Sequence, residues 1–357
     1  MLKNRRVQTP PEPRLEKSNM KRIDFEAHFY TQKYMEAMYR NNGYPRFADD
    51  EKTKSRRLWY NSEVGQPFAD FLLKDLLELG EERLARMDKC GIDVQVLSLS
   101  APGLEQLDPS KAADLAGNAN DTLFEVIKKF PDRFMGYAAL APKNASEAAD
   151  ELERCVKELG FKGWNTHSNY GDSYLDDKKY WPIMERCEKL EVPIYVHPTV
   201  PAIPQTKGYG FALAGAPFGF GLETALCVMR LIYGGVFDAF PALKVILGHL
   251  GEGLPFVLKR IDWAYVRPFD PDARPNLSKK PSEYVKNNIF VSTSGNYYEP
   301  AFTCTREALG IDRILLGTDY PYEDPEECIE FIEGLPLPPS EKEKVYSANA
   351  AQLGIVV

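Results

Sequence analysis

Short apolar, β-branched runs alternate with stretches whose apolar residues recur every three or four positions from Arg22 onward. The first kind of run marks strands, and the second marks helices that bury one face. Strands are predicted at Arg22–Phe25, Val94–Leu99, Phe134–Leu140, Phe161–Asn165, Pro193–Val196, Lys244–Leu247, Ile289–Thr293 and Arg313–Leu316. Helices are predicted at Phe71–Lys89, Ser110–Phe130, Ala145–Leu159, Tyr180–Leu190, Leu222–Phe237 and Pro300–Leu309. Eight strands alternating with helices is the order of an α/β protein of the (β/α)8 TIM barrel class.

Two connections stand out by length. Phe29 to Gly65 follows the first strand, and Thr199 to Gly221, rich in Gly, Pro and Phe, follows the fifth. Both leave the C-terminal end of a strand, the barrel face that carries active sites, so both are expected to serve as lids or substrate walls. Residues 1–21 are Pro-rich, charged and without periodicity, which predicts a flexible N-terminal arm and leaves 22–357 as a single barrel domain.

Composition narrows the partners. The formal net charge of -8 and the absence of a long Lys/Arg run argue against nucleic acid. No run approaches about 18 consecutive apolar residues, and the N-terminus lacks the apolar centre of a secretory signal, so a cytoplasmic protein with no membrane partner is expected. The six cysteines are scattered without metal-site spacing and read as reduced, buried residues.

The candidate chemistry lies in the histidines. His28, His167, His197 and His249 are the only four in the chain, and each falls at or just past a predicted strand. In Asp24-Phe25-Glu26-Ala27-His28, Glu26 and His28 are two residues apart and share one side of an extended chain. His197, His249 and Asp319 close the fifth, sixth and eighth strands. Imidazoles and carboxylates converging from several strands suit one divalent metal ion, Mn2+ or Zn2+, with open positions for substrate or water. Taken alone, Asp319 also reads as a turn residue before Pro321.

These residues resemble the amidohydrolase superfamily. Lys244 to Glu252 (KVILGHLGE), Phe218-Gly219-Phe220-Gly221, Ser292-Thr293-Ser294-Gly295-Asn296 and Asp319-Tyr320-Pro321-Tyr322 are similar to its branch of non-oxidative decarboxylases, over roughly residues 22–355. That branch includes γ-resorcylate, salicylate, 5-carboxyvanillate and aminocarboxymuconate semialdehyde decarboxylases. The fourth strand, Lys162 to His167, ends without the bridging lysine common in two-metal hydrolases of this fold, which favours a single ion. The resemblance implies Glu26, His28, His197 and Asp319 as metal ligands, with His28 variable within the branch.

It also implies a small, hydroxylated aromatic carboxylic acid as substrate, and a homodimer or homotetramer. Asp319 would protonate the ring carbon that carries the carboxylate, and His249, paired with Glu252, would assist. Arg260 would contact the substrate of a neighbouring subunit, with a helix-surface ion pair to Asp262 or Glu252 as the other reading. His167, Phe218 and Phe220 are expected to line the pocket, core packing being the alternative for the two phenylalanines. The same barrel could instead host a metal-dependent hydrolase of a lactone or related dicarboxylate, or a non-catalytic binding protein.

Overall fold

The computed structural model describes residues 20–267 and 274–355, so the predicted arm lies outside the described residues except for its last two positions. Strand β1 (Ile23–Phe29) is followed by a small antiparallel sheet of β2 (Arg46–Asp49), β3 (Arg56–Trp59) and β4 (Gly65–Pro67). Seven further strands complete the parallel set: β5 (Val94–Leu99), β6 (Phe134–Gly136), β7 (Trp164–His167), β8 (Ile194–His197), β9 (Val245–Leu247), β10 (Ile289–Ser292) and β11 (Ile314–Leu315).

Parallel pairing runs β1-β5-β6 in one sheet and β7-β8-β9-β10-β11 in another. Backbone bonds join the two sheets at both seams. Ala138 N–H donates to Gly163 O at 2.8 Å, while Phe25 N–H donates to Leu316 O and His28 N–H to Tyr320 O, each at 2.8 Å. The eight parallel strands therefore form the ring of a TIM barrel, with helices between them.

Two packed layers follow from the strand alternation. Ile23, Phe25, Val96, Tyr195, Ile246 and Phe290 belong to one buried cluster, whereas Ala27, Phe29, Leu97, Val196 and Leu247 belong to the larger one that includes helix residues such as Leu123, Leu152 and Val228. In β1 the register with β5 shifts between Asp24 and Ala27. Such an irregularity re-aims side chains, and it lets Glu26 and His28 follow Phe25 toward the barrel mouth.

The structure departs from the predicted elements in definite ways. β1 continues through Phe29, so Glu26 and His28 lie within the strand. The predicted strand Phe134–Leu140 stops at Gly136, and Ala138 keeps only an isolated bridge to Trp164. The predicted helix Phe71–Lys89 is two helices, Asp70–Leu77 and Glu81–Cys90, broken before Gly80, a residue of low helix propensity. Likewise Leu222–Phe237 becomes Gly219–Tyr233 and Val236–Ala239, interrupted at Gly234-Gly235. The first long connection holds a helix, Gln32–Arg40, capped by Thr31, besides the antiparallel sheet.

One helical stretch, Phe211–Tyr233, has the length and composition of a membrane span. Its Cys227, Val228, Leu231 and Ile232 are buried in the barrel's larger core, which accounts for its apolar character.

Candidate metal centre and active-site cavity

Glu26, His28, His197 and Asp319 converge at the C-terminal end of the barrel, with one potential ligand atom from each lying within 4.8 Å of the others. Their second contacts orient them. His28 Nδ1 is 2.9 Å from Ser98 Oγ, and His197 Nδ1 is 2.9 Å from Pro198 O, so each ring can turn Nε2 to the cluster. Ser292 Oγ donates to Glu26 Oε2 at 2.7 Å. Glu26 Oε1 is buried without a hydrogen-bond partner, which is costly for a carboxylate oxygen unless a cation faces it. The donor set and this orphaned oxygen fit a divalent ion.

Electrostatics agree with that fit. Burial, reinforced by the neighbouring His28 and His167, pushes His197 well below the ordinary histidine range and keeps it in the neutral form that binds metals. Burial works to raise Asp319, but hydrogen bonds from His249 and His28 outweigh it and hold the carboxyl below its usual range. His28 Nε2 stands 2.9 Å from Asp319 Oδ1.

His249 occupies the other side of Asp319, its Nε2 3.8 Å from Oδ2. Its Nδ1 is 2.7 Å from Glu252 Oε1, and its backbone N–H donates to Ser294 Oγ at 3.0 Å. Burial disfavours a charged imidazole here, yet Glu252 and Asp319 overcome it and raise His249 well above the ordinary range.

A cavity of about 650 Å³ opens over these residues. Tyr60, Phe211, Phe218 and Phe220 supply aromatic wall, while His197, His249, Glu252 and Asp319 supply polar groups. Both predicted phenylalanines line it: Phe220 is buried and Phe218 is 57% exposed at the mouth. Tyr60 comes from the connection after β1, and its hydroxyl donates to Gln66 Oε1 at 2.9 Å. Phe211, Phe218 and Phe220 come from the connection after β8, so the two long connections do wall the site.

His167 lies apart from the cavity, and Arg260 is a candidate for a neighbouring subunit's site. His167 is fully buried at the end of β7, edge-on to His197 with ring centroids 5.4 Å apart, and is not among the residues lining the cavity. Arg260 is exposed on the helix Leu254–Ile261, stacked on Trp263 at 5.2 Å, and does not reach the cavity of its own chain.

A family model described as amidohydrolase matches residues 23–353. A γ-resorcylate decarboxylase of Polaromonas sp. (strain JS666) is 38% identical over 291 residues, covering 78% of this chain and 88% of that protein. The chain belongs to the amidohydrolase family, in its branch of non-oxidative decarboxylases. Among solved structures, a 5-carboxyvanillate decarboxylase of Novosphingobium aromaticivorans, complexed with manganese and 4-hydroxy-3-methoxy-5-nitrobenzoic acid, is 34% identical with a TM-score of 0.83, covering 94% of this chain and 96% of that one. A dihydroxybenzoic acid decarboxylase of Polaromonas sp. JS666, with manganese and the inhibitor 2-nitroresorcinol, is 34% identical with a TM-score of 0.78, again covering 94% and 96%.

Several supporting residues of this amidohydrolase were missed in the sequence. Glu105 places both carboxylate oxygens 3.1 Å from His167 Nδ1 and accepts bonds from Leu104 N–H and Thr166 Oγ1. Arg83, buried, donates to His28 O at 2.8 Å and fixes the end of β1. At Gly248, already part of the KVILGHLGE motif, a Cβ would stand 3.1 Å from Glu26 Oε1, close enough that the carboxylate would have to shift.

Proposed function

We propose that this chain is a carboxy-lyase that removes CO2 from an aromatic acid bearing a hydroxyl ortho to its carboxylate. Glu26, His28, His197 and Asp319 would hold one divalent ion, Mn2+ or Zn2+. The observation that carries the proposal is the four-ligand cluster opening into an aromatic-walled cavity, with Asp319 between the cluster and His249.

Direct loss of CO2 from an arene would leave an unstable aryl anion, so the ring carbon must be protonated first. When bound, the ion supplies Lewis acidity for a carboxylate and the hydroxyl beside it. Tyr60, Phe211, Phe218 and Phe220 hold the ring and exclude water. Asp319 delivers a proton to the carbon carrying the carboxylate. His249, kept protonated by Glu252, is the source that resupplies it. The C–C bond then breaks, its electron pair restores the aromatic ring, and CO2 leaves.

The lactone hydrolase reading is less well supported, because β7 ends in His167 and offers no lysine to bridge two ions. Product analysis decides between them. Mn2+-loaded or Zn2+-loaded protein should release CO2 and the matching phenol from a hydroxybenzoate panel. Turnover of lactones with no hydroxybenzoate consumed would overturn the proposal.

We further propose one catalytic barrel over residues 22–357, a cytoplasmic location, and a homodimer or homotetramer in which Arg260 faces a neighbour's cavity. The support for assembly is the exposed apolar surface around Arg260, where Phe256 is 83% and Val266 59% exposed. A monomeric mass by light scattering would count against it.

A further inference from the structure

We infer that Asp24 is a positioning residue that sets the spacing between Glu26 and Asp319, and through that spacing the affinity of the centre for its ion. The inference rests on the proposed ligand set and not on the reaction assigned to it. Asp24 is fully buried in β1 and is not one of the four converging ligands. Its carboxylate accepts four hydrogen bonds. Oδ1 takes the backbone N–H of Glu26 at 3.1 Å and that of Thr318 at 2.9 Å, while Oδ2 takes Thr318 Oγ1 at 2.6 Å and Gln95 Nε2 at 3.1 Å. One side chain thus grips the backbone at one carboxylate ligand and at the residue preceding the other.

Both grips fall where the chain needs them. Asp319 has a φ of 58°, left-handed backbone that a non-glycine residue keeps only where its surroundings over-determine it. The two bonds from Thr318 to Asp24, together with the Asp319 N–H that donates to Glu26 O at 2.8 Å, supply that constraint. In β1 the register with β5 shifts between Asp24 and Ala27, so strand pairing alone leaves the Glu26 backbone less fixed. Gln95 extends the frame: its Oε1 accepts from Arg83 Nη1 at 3.4 Å, and Arg83 Nη2 donates to His28 O at 2.8 Å. Glu26, His28 and Asp319 are therefore tied to one buried network whose members lie outside the ligand set. A site held in place before the ion arrives binds it more tightly than one the ion must assemble.

Mn2+ titration of the metal-free full chain, read by the loss of the free-ion electron paramagnetic resonance signal, tests this in three variants. Asp24→Asn sets an amide group among donors, and Thr318→Val removes one donor at nearly constant shape. Asp24→Asn should raise the Mn2+ Kd by about tenfold or more, and Thr318→Val by about threefold or more. Thr318→Ser keeps the hydroxyl and should bind as wild type does. A role confined to fold stability would lower the Tm of the metal-free variants and leave the Kd unmoved. An unchanged Kd in folded Thr318→Val and Asp24→Asn, checked by near-UV circular dichroism, overturns the inference and leaves the ligand set intact; if Asp24→Asn does not fold, the contrast between the two Thr318 variants decides. Wild-type protein that binds neither Mn2+ nor Zn2+ overturns the ligand set and the inference together.

Discussion

His249 Nδ1 lies 2.7 Å from Glu252 Oε1, and the turn that brings them together holds His249, Leu250 and Glu252 at φ of 54°, 58° and 54°. Left-handed backbone at three non-glycine residues in four positions is costly and persists only where surrounding contacts over-determine it. Ser294 Oγ, which accepts from the His249 N–H, and Thr305 Oγ1, which donates to Leu250 O at 3.1 Å, are two such contacts. The turn carries the proton source of the proposed reaction on a rigid frame.

Glu252→Gln should lower kcat and move its alkaline limb. The His249 pKa is raised, so its acid form, and the activity that needs it, is lost as pH rises through that value. Without the Glu252 charge the loss should begin at lower pH, with kcat at neutral pH reduced by about 10²-fold or more. A pH–rate profile whose alkaline limb stays in place would contradict the assignment.

Asp319→Asn removes the proton-delivering oxygen and should reduce CO2 release by about 10²–10⁴-fold. Its effect should fall mainly on kcat, with 2-nitroresorcinol still bound by protein whose manganese content is verified by elemental analysis. A variant that turns over normally would exclude Asp319 as the donor.

Metal removal should destabilise the fold as well as stop turnover, because the buried Glu26 Oε1 loses its proposed partner. Binding linkage predicts about 2.7 kcal/mol of stabilisation at a hundredfold excess of Mn2+ over its Kd. Scanning calorimetry with increasing Mn2+ should show a rising Tm in wild type and little change in Glu26→Ala.

Much of this was legible because local pattern and function coincide. His197 and His249 each stand at the end of an apolar run, and such runs mark the strands, since parallel strands buried on both faces are continuously apolar. Three helices, Pro281–Asn288, Pro325–Gly334 and Pro339–Tyr346, were not among those predicted, although each carries a proline in its first turn that signals a helix start. Glu105 could not be found that way. It sits in a connection 62 residues from His167, and nothing in the local spacing of either residue reports a contact made by closing the barrel.

Glu105 offers the last prediction, on stability. Burial pushes its carboxyl up, but the adjacent His167 and the hydrogen bonds from His167, from its own backbone N–H and from Thr166 outweigh burial and hold it below the ordinary range. A carboxyl depressed in the folded state contributes stability that is present above its unfolded pKa, about 4.3, and lost as pH falls through the folded value. Replacing one partner of a buried pair costs about 3–5 kcal/mol, because the other is left uncompensated. Glu105→Gln should therefore be destabilised at neutral pH, and its deficit against wild type should shrink as pH drops below about 4. Chemical denaturation across that range measures the gap. A deficit constant with pH would mean that Glu105 acts through packing alone, and that its charge contributes nothing to holding His167 against His197.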